Sequence, residues 1–317
     1  MYNKKLSTVN RRMVEFGQVV IGAPGSGKTT YCIAIQNILK NLNRECVVIN
    51  LDFANDLIAT EDYRVHKQDA ANNDYMVLEP DIDVRELIKL EDIMEKFELG
   101  PNGSFLYAMQ YLKNNINWLK KKIKEVKEKK GKLQLYYIFD CPGQVELYVN
   151  DNSIISILKE INEKEHGIRF CVVNITDSTL CKEHHQYISS LLLALSIQIH
   201  LPFPFLNFFS KSDLINEEQL DYAFDYYLEA NELDNLVYLA NKVEPTDDEK
   251  TVKIKKKFFD LEKSIVEMVE DFNLVGFVPI SAIKNDQLLK AIKLVDKSVG
   301  YYLKDSVQPN QETAKSD

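Results

Sequence analysis

A chain of 317 residues, 45% of them hydrophobic and 27% charged, has ample material for a sizeable core, which excludes a mini-domain stapled by disulfides or metals. Its 39 Lys and Arg against 48 Asp and Glu leave a formal net charge of −9, so direct binding of nucleic acid is not expected. Five cysteines (Cys32, Cys46, Cys141, Cys171, Cys181) are odd in number, well separated and without a C-x-x-C pair, the usage of a reducing, intracellular compartment.

Residues 1–16 form a basic N-terminal extension (Lys4, Lys5, Arg11, Arg12). The apolar run behind it, Val19-Val20-Ile21, is too short for a signal-peptide core, and secretion is not expected. Short apolar runs then recur at Gln18–Ile21, Cys46–Asn50, Leu133–Phe139, Phe170–Ile175, Phe203–Phe209 and Phe277–Ile280, with helical stretches between them. Such alternation predicts an α/β fold with a mainly parallel sheet covered by helices on both faces. Between the second and third runs, Phe105, Met109, Leu112, Ile116, Leu119, Ile123 and Val126 alternate at four- and three-residue spacing and predict one long helix from near Ser104. Eight lysines between Lys113 and Lys130 lie off that stripe and read as a solvated face. Leu191–Phe209 is long enough for a membrane span, but Ser196, Gln198, His200, Pro202 and Pro204 interrupt it. A buried helix followed by a buried strand is expected there, and no membrane association. The chain thus reads as a single domain over 17–303, with helical insertions at about 104–131 and 214–274 and a polar tail at 304–317 expected to be disordered.

Several runs end in polar clusters: Gly22 onward, Asp52, Asp140, Asp177, Ser210 onward, and Ser281-Ala282. Ligands of open α/β sheets bind at the carboxyl ends of the strands, so these clusters should converge on one crevice. Gly22-Ala23-Pro24-Gly25-Ser26-Gly27-Lys28-Thr29 fits G-x-x-x-x-G-K-[ST] between a strand and a helix. Its backbone N–H groups would cradle phosphates, Lys28 would reach the β- and γ-phosphates, and the Thr29 hydroxyl would ligate Mg2+; Thr30 joins the nucleotide-binding set. In Asp140-Cys141-Pro142-Gly143-Gln144, the strand-end Asp140 is placed to hold Mg2+ and Gly143 to offer its N–H to the γ-phosphate. Gln144 and Glu146 follow as candidates for orienting an attacking water. In Ser210-Lys211-Ser212-Asp213, the Asp213 carboxylate could accept both N1–H and N2–H of guanine, which adenine lacks, while the Lys211 stem packs along the base. Ser281-Ala282 could bring a backbone N–H to the guanine O6. GTP is therefore the expected ligand.

These motifs, together with Asn50-Leu51-Asp52 and above all Gly100-Pro101-Asn102-Gly103, closely resemble the GPN-loop GTPases, over nearly the whole chain from about Gly17 to Tyr302. Phe16-Gly17-Gln18, Thr29-Thr30-Tyr31-Cys32 and Ser210-Lys211-Ser212-Asp213-Leu214-Ile215 look most like the second of the family's eukaryotic paralogues. The resemblance implies a P-loop NTPase fold and GTP hydrolysis with Mg2+. It implies pairing with another GPN-loop GTPase subunit, itself or a paralogue, with Asn102 serving the partner's nucleotide. It also implies RNA polymerase subunits or assembly factors as clients, in the assembly or nuclear import chiefly of RNA polymerase II, with RNA polymerase III as a further client, from the cytoplasm with shuttling to the nucleus. It carries a Mg2+-side role to Asp52 and a switch role to Asp83. Where the family commonly has Leu-Asp-Pro-Ala-Asn, this chain has Leu51-Asp52-Phe53-Ala54-Asn55, which frees the backbone after Asp52. Two rivals remain: a nucleoside monophosphate kinase, for which the six arginines are few, and an assembly scaffold in which hydrolysis is incidental.

Overall fold

The computed structural model describes residues 14–54, 80–131, 134–162, 167–245 and 247–301. The polar tail expected at 304–317, and residues 1–13 of the extension, lie outside the described residues.

The apolar runs become strands β1 (Glu15–Ile21), β2 (Cys46–Asn50), β4 (Tyr136–Asp140), β5 (Ile168–Asp177), β6 (Phe205–Ser210) and β7 (Phe277–Pro279), with a short β3 (Ile82–Asp83) between β2 and β4 in the chain. They form one seven-stranded sheet in the order β3-β2-β4-β1-β5-β6-β7, and each pairing is parallel. Successive side chains point to opposite faces: Val19 and Ile21 enter one core with Val47, Ile49 and Phe139, while Val20 enters another with Val48, Ile138 and Val173. Burial on both faces is why the runs are continuous rather than alternating.

The first face is covered by α2 (Leu90–Phe97), α3 (Pro101–Asn114), α4 (Ile116–Lys130), the short α5 (Glu146–Val149) and α6 (Ser153–Asn162). The second carries α1 (Lys28–Asn41) and α11 (Asn285–Val299). A third cluster gathers α7 (His184–His200), α8 (Phe224–Glu229), α9 (Asp234–Ala240) and α10 (Glu249–Phe272) beside β6 and β7, where the rings of Phe209 and Phe277 stack at 3.8 Å. The Leu191–Phe209 window is the end of α7 followed by β6, and no helix among the described residues is long and apolar enough to cross a membrane.

Three expectations are corrected. The long helix from Ser104 is two helices, and the first begins at Pro101, where a missing N–H costs nothing and the fixed φ suits the first turn. Asn115 separates them with φ −110° and ψ 31°, and its side-chain amide donates to Tyr111 O, a local bond that competes with the helix. The lysine face of α4 is not simply solvated: Lys120 pairs with Glu160 at 2.5 Å, Lys122 with Glu86 at 2.6 Å, Lys127 with the buried Glu15 at 3.0 Å and Lys130 with Asp81 at 2.9 Å. Finally, β6 starts at Phe205 rather than Phe203, beyond Pro204, which has no N–H to give a ladder.

Candidate nucleotide site

The glycine loop joins β1 to α1 at the carboxyl edge of the sheet. A side chain at Gly22 would meet Ile175 O at 2.2 Å, so only glycine lets the loop leave the sheet there. Gly27, with φ 92°, caps α1 in a left-handed turn that directs the following N–H groups along the helix start. Lys28 is buried, and its ammonium donates to Ala23 O at 3.1 Å, curling over the loop it serves. The last residue of β6 and the residue after it brace the loop from behind: Ser210 Oγ donates to Ser26 O at 2.6 Å, and Lys211 Nζ donates to Gly25 O at 3.0 Å and to Asp177 Oδ2 at 2.6 Å. Burial alone would raise the Asp177 carboxyl, but the hydrogen bonds from Lys211 and Thr179 hold it below its ordinary value.

Pro24, Gly25, Gly27, Lys28, Thr29, Thr30, Asp52, Ala54, Gly143, Gln144 and Lys211 line one cavity of about 380 Å³, within the range of small-molecule sites. Beneath it, Thr29 Oγ1 donates to Asp140 Oδ2 at 2.7 Å. Burial pushes the Asp140 carboxyl up to about 7, opposed by the Thr29 hydroxyl and reinforced by the charge of Asp52. Asp52 is raised too, by burial, against the Ala54 N–H and the Lys28 ammonium. Two acids crowded in this way favour a cation between them. A hydroxyl and two carboxylates are hard oxygen donors. Among the described residues no cluster of three or more His, Cys, Asp or Glu could hold a metal by protein ligands alone. That combination fits Mg2+, which takes one or two carboxylates and completes its shell with phosphate oxygens and water.

The Asp52 loop is fixed by Asn50, whose side-chain oxygen accepts from Asp52 N at 3.0 Å and whose amide donates to Asp52 O and Asp83 Oδ1, both at 3.2 Å. Phe53, standing where the family has proline, is buried with its ring 6.4 Å from that of Phe105 on α3, so a side-chain anchor holds this backbone. Asp83 is engaged by Arg85 at 2.6 Å and does not line the cavity. Neither the Asn50 clamp nor the Phe53 anchor was visible in the motifs, because each depends on which strand ends become neighbours.

The other expected residues stand around this centre. Asp213 is exposed in a tight 3-10 turn, Ser212–Leu214, directly after Lys211, whose φ of 57° swings the chain outward. Ser212 N donates to Ile280 O at 3.2 Å and Ile283 N to Ser281 Oγ at 3.3 Å, so the Asp213 and Ser281-Ala282 loops are joined side by side, outside the cavity lining. Glu146, exposed on the first turn of α5, and Asn102, exposed on the first turn of α3, also lie outside that lining.

A parallel sheet whose central strand feeds a glycine loop, a lysine and a threonine into a phosphate-sized cavity defines a P-loop nucleotide-binding protein. A family model described as a conserved hypothetical ATP-binding protein matches residues 20–66 and 61–301. The chain is 34% identical to GPN-loop GTPase 2 of Danio rerio over 96% of this chain and 86% of the relative. It is 38% identical to GPN-loop GTPase 2 of Saccharomyces cerevisiae over 90% and 75%, and 37% identical to GPN-loop GTPase QQT1 of Arabidopsis thaliana over 90% and 85%. Among solved structures, an apo GTPase from Pyrococcus abyssi shares the fold, with a TM-score of 0.59 at 22% identity over 89% of this chain and 97% of that one. The chain belongs to the GPN-loop GTPase family, and the expected likeness to its second eukaryotic paralogue is borne out. The family model's description speaks of ATP and the relatives' names of GTP.

Proposed function

We propose that this chain binds GTP with Mg2+, hydrolyses the β–γ phosphoanhydride and uses the two nucleotide states as a switch. Its partner is another GPN-loop GTPase subunit, and its task the assembly or nuclear import of RNA polymerase II, with RNA polymerase III as a further client, from the cytoplasm. The polymerase, pairing and location parts rest on the family resemblance alone. The observation that carries the enzymatic part is the single cavity wall on which Lys28, Thr29, Asp52, Gly143, Gln144 and Lys211 meet.

On that wall each group has a task. Lys28 exchanges its bond with Ala23 O for phosphate oxygens, which removes no strong partner and gains charged ones. Thr29, Asp140 and Asp52 would hold Mg2+, which when bound neutralises charge on the β- and γ-phosphates. Gln144 Oε1 is buried on the wall and has no hydrogen-bond partner among the described residues, so it is an acceptor suited to a proton of the attacking water. Glu146, exposed two residues on and outside the cavity lining, is the second candidate for orienting that water. Lys211, fixed by Gly25 and Asp177, offers its stem as a floor for the base, and Asp213 accepts from the guanine edge, which favours GTP over ATP.

A nucleoside monophosphate kinase would need guanidinium groups around two phosphate chains. Among the described arginines, Arg44 pairs with Asp296, Arg85 with Asp83, and neither these nor Arg169 lines the cavity. Phosphate release from GTP and from ATP, with Mg2+ and with EDTA, and with GMP or AMP added as acceptors, tests the reading. We expect Mg2+-dependent release from GTP well above ATP and no acceptor effect; transfer to a monophosphate, or equal use of ATP, would overturn it. The scaffold reading is separated by partner affinity, which a switch makes dependent on GTP or GDP.

A further inference from the structure

Gly143 is buried on the cavity wall, and among the described residues its N–H makes no hydrogen bond. Buried backbone N–H groups are seldom left in this way, so this one is placed for an acceptor that the protein itself does not supply. Its direction is set from the other end of the same peptide. Pro142 O accepts from the Tyr148 hydroxyl at 2.5 Å, a bond that reaches back over six residues from α5. A peptide unit is planar, and when it is trans its C=O and N–H point in opposite directions. None of the described peptides is cis. With Pro142 O turned toward Tyr148, the Gly143 N–H is turned the other way, into the cavity that Gly143 lines.

Tyr148 is itself held firmly. Its side chain is 1% exposed, in the core under the first face of the sheet. Its own N–H donates to Val145 O at 2.9 Å in the turn that opens α5, and α5 packs against α6 and α7. At the start of the loop, Cys141 N donates to Val20 O at 3.1 Å and ties the chain to β1. Between these anchors the proline ring fixes its own φ, whereas Gly143 has no side chain to resist a flip of the Pro142–Gly143 peptide. The phenol bond is what stops that flip. We propose that Tyr148 is a positioning residue of the γ-phosphate site: it holds the Pro142–Gly143 peptide so that the Gly143 N–H meets the γ-phosphate, and through this the protein tells GTP from GDP. The inference rests on the GTPase reading above and adds to it the residue that makes the γ-phosphate contact rigid.

Tyr148→Phe removes the hydroxyl and keeps the ring. Calorimetric titration in Mg2+ with GDP, and with the non-hydrolysable GTP analogue GppNHp, reads the effect. We expect GppNHp affinity to fall about tenfold, the loss of one charge-assisted contact, and GDP affinity to stay at the wild-type value, since GDP has no γ-phosphate. Tyr187→Phe is the control, because Tyr187 Oη donates to Tyr227 O at 2.9 Å, a buried bond of the same chemistry in the third core. It should lower the urea midpoint as Tyr148→Phe does and leave both affinities unchanged. A measurement on the wild type stands beside the variants. The chain has two Pro-Gly pairs, Pro24-Gly25 and Pro142-Gly143, so isotope labels at the proline carbonyls and glycine nitrogens select two amide signals by NMR. The Pro142–Gly143 signal, identified by its loss in Gly143→Ala, should move with GppNHp and stay in place with GDP. The inference is overturned if Tyr148→Phe binds GppNHp like wild type, if Tyr187→Phe loses GppNHp to the same degree, or if GppNHp moves the wild-type signal no more than GDP does. A wild type that binds neither nucleotide would instead sink the GTPase reading, and this inference with it.

Discussion

Gly143 offers the sharpest test of how tightly the cavity is built. A methyl group there would lie 2.9 Å from Lys28 Nζ, 3.0 Å from Pro24 N and 3.1 Å from Pro24 Cα. The ammonium can swing aside, but Pro24 is backbone, and about 0.4 Å is missing from an ordinary 3.4 Å contact. The loop has little room to retreat, since Gly22 already lies against Ile175 O and Ser26 O is held by Ser210. Gly143→Ala should therefore push Lys28 and the loop apart by a few tenths of an ångström, close to the roughly 0.5 Å within which a catalytic arrangement must be held. We expect turnover to fall about ten- to thirtyfold, GTP affinity to fall less, and folding stability to drop by about 1–2 kcal/mol, the low end for overpacking at a site open on one side. Gly131→Ala, with φ 58° and open space around it, supplies the control: a backbone cost of about 1 kcal/mol and no change in turnover. Single-turnover phosphate release, titration with a fluorescent GTP analogue and urea unfolding would report these quantities separately. If Gly143→Ala binds and hydrolyses GTP like wild type, the loop is softer than its contacts imply and the reasoning fails.

Lys28→Ala should lose about a hundredfold in GTP affinity while its urea midpoint moves little, because among the described residues its ammonium donates only to Ala23 O; calorimetric titration decides. Asp213→Asn should weaken GTP and favour xanthosine triphosphate, whose 2-oxo group suits an amide donor, by roughly tenfold or more in competition assays. Gln144→Ala should lower turnover about tenfold with GTP affinity intact, and Glu146→Ala should do so more weakly; normal hydrolysis by both would place the water elsewhere. A dimer of one Asn102→Ala and one Lys28→Ala subunit should keep about half of wild-type activity if Asn102 serves the partner's nucleotide, and nearly none if it serves its own.

How far the sequence could be read depended on whether an element announces itself locally. The loop from Gly22 to Thr29 did, because its spacing encodes the cradle directly, and the continuous runs at Cys46–Asn50 and Phe170–Ile175 did, because both faces of the sheet are covered. β3 did not: two residues, Ile82 and Asp83, carry no periodicity, and only pairing with Ile49 and Asn50 makes them a strand. The break at Asn115 was masked because the apolar stripe stays in phase from α3 into α4, so the side-chain pattern hid a backbone event. In the site, the residues that touch the ligand space were legible, whereas those that hold them, Asp177 on Lys211 and Asn50 on Asp52, act through tertiary neighbours.

The position of β4 between β2 and β1 sets an order of events during synthesis. β1 and β2 emerge first but are not neighbours in the sheet; β2 finds β3 at one edge, and its other edge and one edge of β1 wait for Tyr136–Asp140. A growing chain that has passed β2 but not β4 therefore carries two apolar strands with open edges, the form most exposed to aggregation and to holding by chaperones. Because the cost of closing a loop rises only slowly with its length, the delay costs time more than stability. Asp140 is the last residue of that same strand, and the strand that completes the middle of the sheet also delivers the partner of Thr29. The Thr29–Asp140 contact thus forms only once the middle of the sheet has closed.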